Sequence, residues 1–301
     1  MENDPTAKYV NAALDFQALE TMCDTYIEAQ KVDCLGRNFM MTINYEAVIQ
    51  TVHNTRSLIM NKERRSQVTQ KGIGDFVTQV DLSVQTYLQA VLGDEYPQIQ
   101  FMGEEDSERN LDESKPAWIL DPIDGTSNLI FNLEHSAVSL ALYDGEQIVF
   151  GVIYNPYKEE TFHAIRGQGS FLNGEPIHVG AEQNLKDCLV AFGTNPYARI
   201  DKQKYFHYLC DLQLRCVDLR RFGSAALDLA YVACGRYGGF IEPYLKPWDI
   251  AAGLLLIEEA GGVTSTPTGG KINPLYPSDV LAGAPKVYGE MYDMTKQYNC
   301  F

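Results

Sequence analysis

Two aspartates three positions apart close an apolar run in the stretch WILDPIDGTSN, Trp118 to Asn128. Asp121 stands where AWIL ends, Pro122 fixes φ, and Gly125 permits a tight turn that a β-carbon would obstruct. Thr126, Ser127 and Asn128 are residue types that open helices. At one point the chain therefore offers the carboxylates of Asp121 and Asp124, the backbone carbonyl of Ile123, and the backbone N–H groups of Gly125 and Thr126. Carboxylates with a carbonyl suit a hard cation such as Mg2+. N–H groups at a helix start suit a phosphate. Cation ligands beside an anion cradle point to phosphoryl transfer to water. An Asp-Gly turn before a helix would look the same on this stretch alone.

Two further acidic element ends shift that balance. MGEED closes a predicted strand with Glu104 and Glu105, and KPWDIAAGLLLIEEAGG sets Asp249 at a predicted helix start. With Asp249 as N-cap, residue 252 is Ala, so no capping box accounts for it. Loops gather at a sheet edge in a layered body, so three acidic ends can converge.

The elements that must position these groups follow from periodicity. Residues 12–31 carry Leu19, Met22, Cys23, Tyr26 and Ile27 at helical spacing; a second helix is predicted over 44–62 and a third from Asp81 to Gly93. IQFMG and AWILD read as strands. HSAVSLALY, EQIVFGVIY and ETFHAI follow with turn residues between them, as in an antiparallel meander. After about Gly174, DCLVAFG, RCVDLR, GGFIE and DVLAGA read as strands alternating with helices, a layered α/β pattern. The expected organisation is a helical N-terminal extension (1–43), an α+β half (44–175) carrying the acidic motifs, and an α/β half (176–301) completing the site, the two halves packed as one body.

Composition narrows the function. The 301 residues are 45% hydrophobic and 21% charged, an ordinary globular balance with enough chain for a sizeable core. No apolar run reaches the roughly 18 residues of a membrane span. The opening MENDPTAKYV is acidic and polar rather than basic then apolar, unlike a secretory signal. Seven cysteines at irregular spacing read as free thiols, and a cytoplasmic location is expected. A net charge of −16, from 40 acids against 24 bases, argues against nucleic acid or an anionic membrane as partner. An acidic chain handling an anionic substrate needs added positive charge, and bound metal ions can supply it; solubility alone would also explain the acidity.

GEE, WILDPIDGTSN and PWDIAAGLLLIEEAGG, in that order, resemble the inositol monophosphatase family of the lithium-sensitive, Mg2+-dependent phosphatase superfamily. The resemblance covers residue 44 to about 298. It implies a layered αβαβα sandwich of the sugar-phosphatase type. It also implies residue roles. Glu104, Asp121 and the Ile123 carbonyl would hold one Mg2+, and Asp121, Asp124 and Asp249 a second. Glu104 would face a third, weaker ion through water. The Gly125 and Thr126 N–H groups would bind phosphate, and Asp81, within KGIGDFVTQVD, would pair with the Thr126 hydroxyl to orient the attacking water. Lys71 stands one residue closer to DFVTQVD than in animal members, which leaves it without an assigned role. In RRFGSAALDL, Gly223, Ser224 and Ala225 would line the sugar side of the pocket, and Glu242, seven residues before Asp249, would accept substrate hydroxyls.

Other signals carry less. His53, His135, His163, His178 and His207 form no metal-binding pattern. GQGSFLNG lacks dinucleotide-loop spacing and reads as a turn between strands. Cys234 reads as core and Glu258–Glu259 as a solvated pair near a helix end. The expected protein is a cytoplasmic homodimer that hydrolyses a small-molecule phosphate monoester, myo-inositol 1-phosphate first, with two or three Mg2+ per site. Fructose 1,6-bisphosphate, histidinol phosphate or a 3′-phosphonucleotide would keep the chemistry. A regulatory binding protein on a phosphatase scaffold is the alternative of another class, since some bacterial relatives bind the transcription machinery; no ligand carboxylate is missing here.

Overall fold

Where helices were expected at the front of the chain, the computed structural model has two short ones, α1 (Tyr45–Asn54) and α2 (Arg56–Ile59). It describes residues 43–301 except 62, 64–66, 73–74, 107–110, 182–183 and 196–197. The helix expected over 12–31 lies outside the described residues. The single helix expected over 44–62 breaks at Thr55, whose N–H and hydroxyl both turn back to the Val52 carbonyl. Threonine competes with the helical ladder in this way. A hairpin of β1 (Val68–Gly72) and β2 (Asp75–Thr78), too polar to be predicted, leads into α3 (Gln79–Glu95).

Next come β3 (Gln100–Gly103), β4 (Ala117–Asp124), the single-turn α4 (Thr126–Ile130), β5 (Ala137–Tyr143), β6 (Ile148–Asn155), β7 (Glu160–Ile165), β8 (Gly169–Leu172) and β9 (Glu175–Ile177). The seven strands lie side by side in sequence order, β3 parallel to β4 and the rest antiparallel. The predicted meander is the middle of this sheet. GQGSFLNG is not merely a turn: β8 runs through it, between glycines at positive φ. Every residue of β4 and β5 is buried, which marks strands covered on both faces.

The second sheet uses β10 (Leu189–Phe192), β11 (Asp218–Arg220), β12 (Gly239–Leu245), β13 (Val263–Ser265) and β14 (Ser278–Gly283), in the order β11-β10-β12-β14-β13. Its helices are α5 (Lys202–Arg215), α6 (Ala225–Ala233), α7 (Pro247–Glu259) and α8 (Pro285–Tyr298). Helices α6 and α7 lie between the two sheets, α3 covers the outer face of the first and α5 with α8 that of the second. The stack is αβαβα, and Glu46–Phe301 forms one compact unit. No helix of the described residues is long and apolar enough to cross a membrane.

Small residues set how deeply α7 sits. A β-carbon on Gly151 of β6 would stand 2.9 Å from the Ala252 Cα, and one on Gly253 would meet Leu229 of α6 at 2.6 Å. At the far end of α7, Glu258 pairs with Arg166 at 2.8 Å, and Glu259 accepts the N–H groups of Gly167 and Gly169. These glutamates were expected to be only solvated; they tie the helix end to the β7–β8 turn.

Gly151→Ala pushes on helix backbone that cannot retreat, so chemical denaturation should show a loss of about 1–3 kcal/mol. Gly289→Ala in α8, where a β-carbon meets nothing within 4 Å, should be neutral or stabilise by up to about 1 kcal/mol. Equal effects at the two positions would refute the close approach of α7 to β6.

Candidate active site

In a regular strand, residues three apart point to opposite faces. Asp121 pairs with Ser139 and Asp124 with Ala137, so β4 spends one more residue than β5 between these pairs. This bulge falls at Pro122–Ile123, where proline has no N–H to give the ladder. The extra residue restores the parity and turns both aspartates to one side. Parallel register aligns Gly103 with Leu120, so the next residues, Glu104 and Asp121, are neighbours across β3 and β4. Asp249 arrives from α7: the Ser139 hydroxyl, opposite Asp121, donates to the Trp248 carbonyl at 3.0 Å.

The ligand oxygens of Asp121, Asp124 and Asp249 lie within 4.8 Å of one another. No histidine or cysteine of the described residues joins such a group. Asp121 accepts the Ile123 N–H at 2.9 Å. Burial holds its carboxyl well above the usual carboxylate range, and the charges of Glu104, Asp124 and Asp249 add to this. Burial pushes Asp124 up to about 6, against hydrogen bonds from the Ser224 hydroxyl and the Ala226 N–H. Asp249 is pushed up to about 8, by burial first and the charge of Asp124 second. Asp249 was expected at a helix start with no capping contact to account for it. It stands in the first turn of α7, where its carboxylate accepts the Lys246 N–H at 2.7 Å and so caps the helix as well.

The donor set fits a hard divalent cation: two buried carboxylates, Asp121 and Asp124, a half-buried third, Asp249, a fourth beside them, and protons or cations needed to balance them. Gly125 opens the turn into α4 at φ 88°, and a β-carbon there would stand 3.1 Å from the Gly223 and His135 carbonyls. Asn128 closes the same corner by donating to the His135 and Phe222 carbonyls, both at 2.7 Å.

The Thr126 hydroxyl lies 3.0 Å from Asp81 Oδ1 and 3.0 Å from the Ile123 carbonyl, with one proton for two acceptors. Asp81 Oδ2 accepts the Thr78 N–H at the start of α3, so this carboxylate also caps a helix, a signal in TQVD that the sequence reading missed. Burial raises the Asp81 carboxyl, against hydrogen bonds from Thr78 and Thr126. The Lys71 backbone lies in β1, and its side chain lies outside the described residues.

Across from the aspartates, Gly223 at φ 79° leaves room for the Arg221 guanidinium. Ser224 and Ala225, expected on the sugar side, also open α6 beneath Asp124. Glu242 reaches the same cluster: burial pushes its carboxyl to about 8, with Arg221 opposing and Asp124 adding to the rise. Sequence reasoning missed Arg221, Ser139 and Asp228, the last buried on α6 and held far above the carboxylate range by burial and by Glu242. Only pairings distant in sequence reveal them.

Residues 38–297 match the model of the inositol monophosphatase family. The chain is 41% identical over 249 residues to the inositol-1-monophosphatase of Rhizobium meliloti, across 83% of this chain and 93% of that protein. It is 40% identical over 225 residues to the Nus factor SuhB of Escherichia coli, across 75% of this chain and 84% of that one. The crystal structure of the extragenic suppressor protein suhB from Bartonella henselae superposes with a TM-score of 0.79 at 34% identity, covering 85% of this chain and 99% of that one.

A carboxyl whose pKa rises on folding keeps its proton where the unfolded chain has lost it. Its stabilising effect is full below the unfolded value of 3.8 and is lost as pH rises through the folded value, about 6 for Asp124 and about 8 for Asp249. The metal-free melting temperature should therefore fall between pH 5 and pH 9. Asp249→Asn should flatten that fall, and Mg2+ should raise the melting temperature more at pH 8 than at pH 5. A fall unchanged in Asp249→Asn would show that Asp249 contributes nothing to it.

Proposed function

Since the chain belongs to the inositol monophosphatase family and is thereby a phosphomonoester hydrolase, we propose that its substrate is a small polyol monophosphate, myo-inositol 1-phosphate first, hydrolysed with two or three Mg2+. The convergence of Asp121, Asp124 and Asp249 within 4.8 Å, with Glu104 beside Asp121, carries this reading. Glu104, Asp121 and the Ile123 carbonyl would hold one ion, and Asp121, Asp124 and Asp249 another. When bound, the ions offset the carboxylate charge, polarise the phosphate and make water a stronger nucleophile.

The chain's own groups do the rest. Gly125 and Thr126 present backbone N–H groups to the phosphate at the turn into α4. When the Thr126 hydroxyl donates its hydrogen bond to Asp81 Oδ1, its oxygen lone pair can accept a hydrogen bond from the attacking water and so orient it, and the Ile123 carbonyl is left to face a cation. Asp81 cannot swing away, because the Thr78 N–H holds its other oxygen. On the opposite side, Glu242 accepts hydroxyls of the polyol, with Gly223, Ser224 and Ala225 lining the wall. The relative named inositol-1-monophosphatase supports that substrate.

A second reading, a regulatory binding role, is favoured by the 40% identity to the Nus factor SuhB. Hydrolysis needs the complete carboxylate set and a binding role does not, so the site favours the enzyme.

Phosphate release over a panel of monophosphates should be greatest on polyol phosphates, disappear in excess EDTA and fall with Li+. Asp124→Asn removes one charge at constant shape and should lower kcat about 10²-fold or more. Full turnover in EDTA, or an Asp124→Asn variant keeping above about a tenth of kcat, would contradict the mechanism. A preference for a 3′-phosphonucleotide would overturn the substrate alone.

A further inference from the structure

Glu242 ends the regular part of β12. Between Glu242 and Leu245 the strand spends one more residue than its partner β14, which runs from Val280 to Ser278 over the same span. The bulge places Tyr244 at φ 58°, in the left-handed region that bulky residues avoid. Two hydrogen bonds hold it there: the Tyr244 N–H donates to Asp279 Oδ1 at 2.9 Å, and the Tyr244 carbonyl accepts from Asn195 Nδ2 at 2.9 Å.

Asn195 lies two residues past Gly193, and Gly193 lies directly against Glu242. A β-carbon built on Gly193 would fall inside the Glu242 carboxyl group. The Gly193 backbone cannot move aside. Its N–H donates to the Ile241 carbonyl at 3.0 Å, and its own carbonyl accepts from the buried Tyr205 hydroxyl at 2.9 Å. The carboxylate, at the end of a flexible side chain, can move.

From this geometry we infer that Gly193, Asn195 and Tyr244 form a clamp that positions the Glu242 carboxylate and so sets substrate choice. Gly193 leaves the space the carboxylate fills, and Asn195 with Asp279 holds the bulge that aims it. The clamp rests on the reading of Glu242 as the group that accepts polyol hydroxyls. It acts through Glu242 and touches no reacting atom, so these three are positioning residues.

The test is the ratio of kcat/KM for myo-inositol 1-phosphate to that for a hydroxyl-poor aryl phosphate, in wild type, Gly193→Ala, Glu242→Ala and the double variant, with melting temperature as the check on folding. Both single variants should lower the ratio about tenfold or more, and Gly193→Ala should change it less than about twofold once Glu242 is Ala. Asn195→Ala should lower the ratio about threefold and serves if Gly193→Ala does not fold. A folded Gly193→Ala with an unchanged ratio, full additivity in the double variant, or an Asn195→Ala that leaves the ratio at its wild-type value overturns the clamp. If Glu242→Ala itself leaves the ratio unchanged, the reading of Glu242 fails first and the clamp falls with it.

Discussion

Three aspartate oxygens within 4.8 Å of one another, two of them on buried residues and the third on a half-buried one, repel each other in an environment that screens them poorly. Burial first, and for Asp121 and Asp249 the neighbouring carboxylate charges second, raise all three above the carboxylate range, so they hold protons unless their charge is balanced. Much of the architecture can be read as the means of keeping them together. The bulge in β4 turns two of them to one face, parallel register sets Glu104 beside Asp121, and Ser139 anchors the residue before Asp249.

Helix starts share the load. Asp81 accepts an N–H at the start of α3, Asp124 one from the first turn of α6, and Asp249 one at the start of α7. The positive ends of three helices thus face the acidic cluster and offset part of its charge. They do not cancel the rise in pKa, because burial still dominates each shift. Position depends in turn on close packing. Gly151 lets α7 approach β6 and Gly253 lets α6 approach α7, so an interior choice of glycine decides where a carboxylate at the helix start comes to rest.

Much of this was legible in the sequence, because strand ends and helix starts carry local signals. WILDPIDGTSN, MGEED and KPWD each announce an acidic group where an element begins or ends, and alternating texture gives the layers. What was not legible depends on pairing at a distance. Nothing local says that β4 and β5 differ by one residue between Asp121 and Asp124, that Ser139 reaches Trp248, or that Gly193 lies against Glu242. Local reading also fell short where side chains compete with backbone patterns: at Thr55, which breaks a helix, and at Glu258–Glu259, which face water but also bond the β7–β8 turn.

The central claim is that the buried carboxylates hold protons until a divalent cation displaces them. Calorimetric titration of the metal-free protein with Mg2+ at pH 7, in buffers of different ionisation enthalpy, measures that exchange directly. With Asp249 near 8 and Asp121 higher than the ordinary range, binding should release about one proton or more per site, and fewer in Asp249→Asn. Binding heats identical in all buffers, meaning no proton released, would contradict the account.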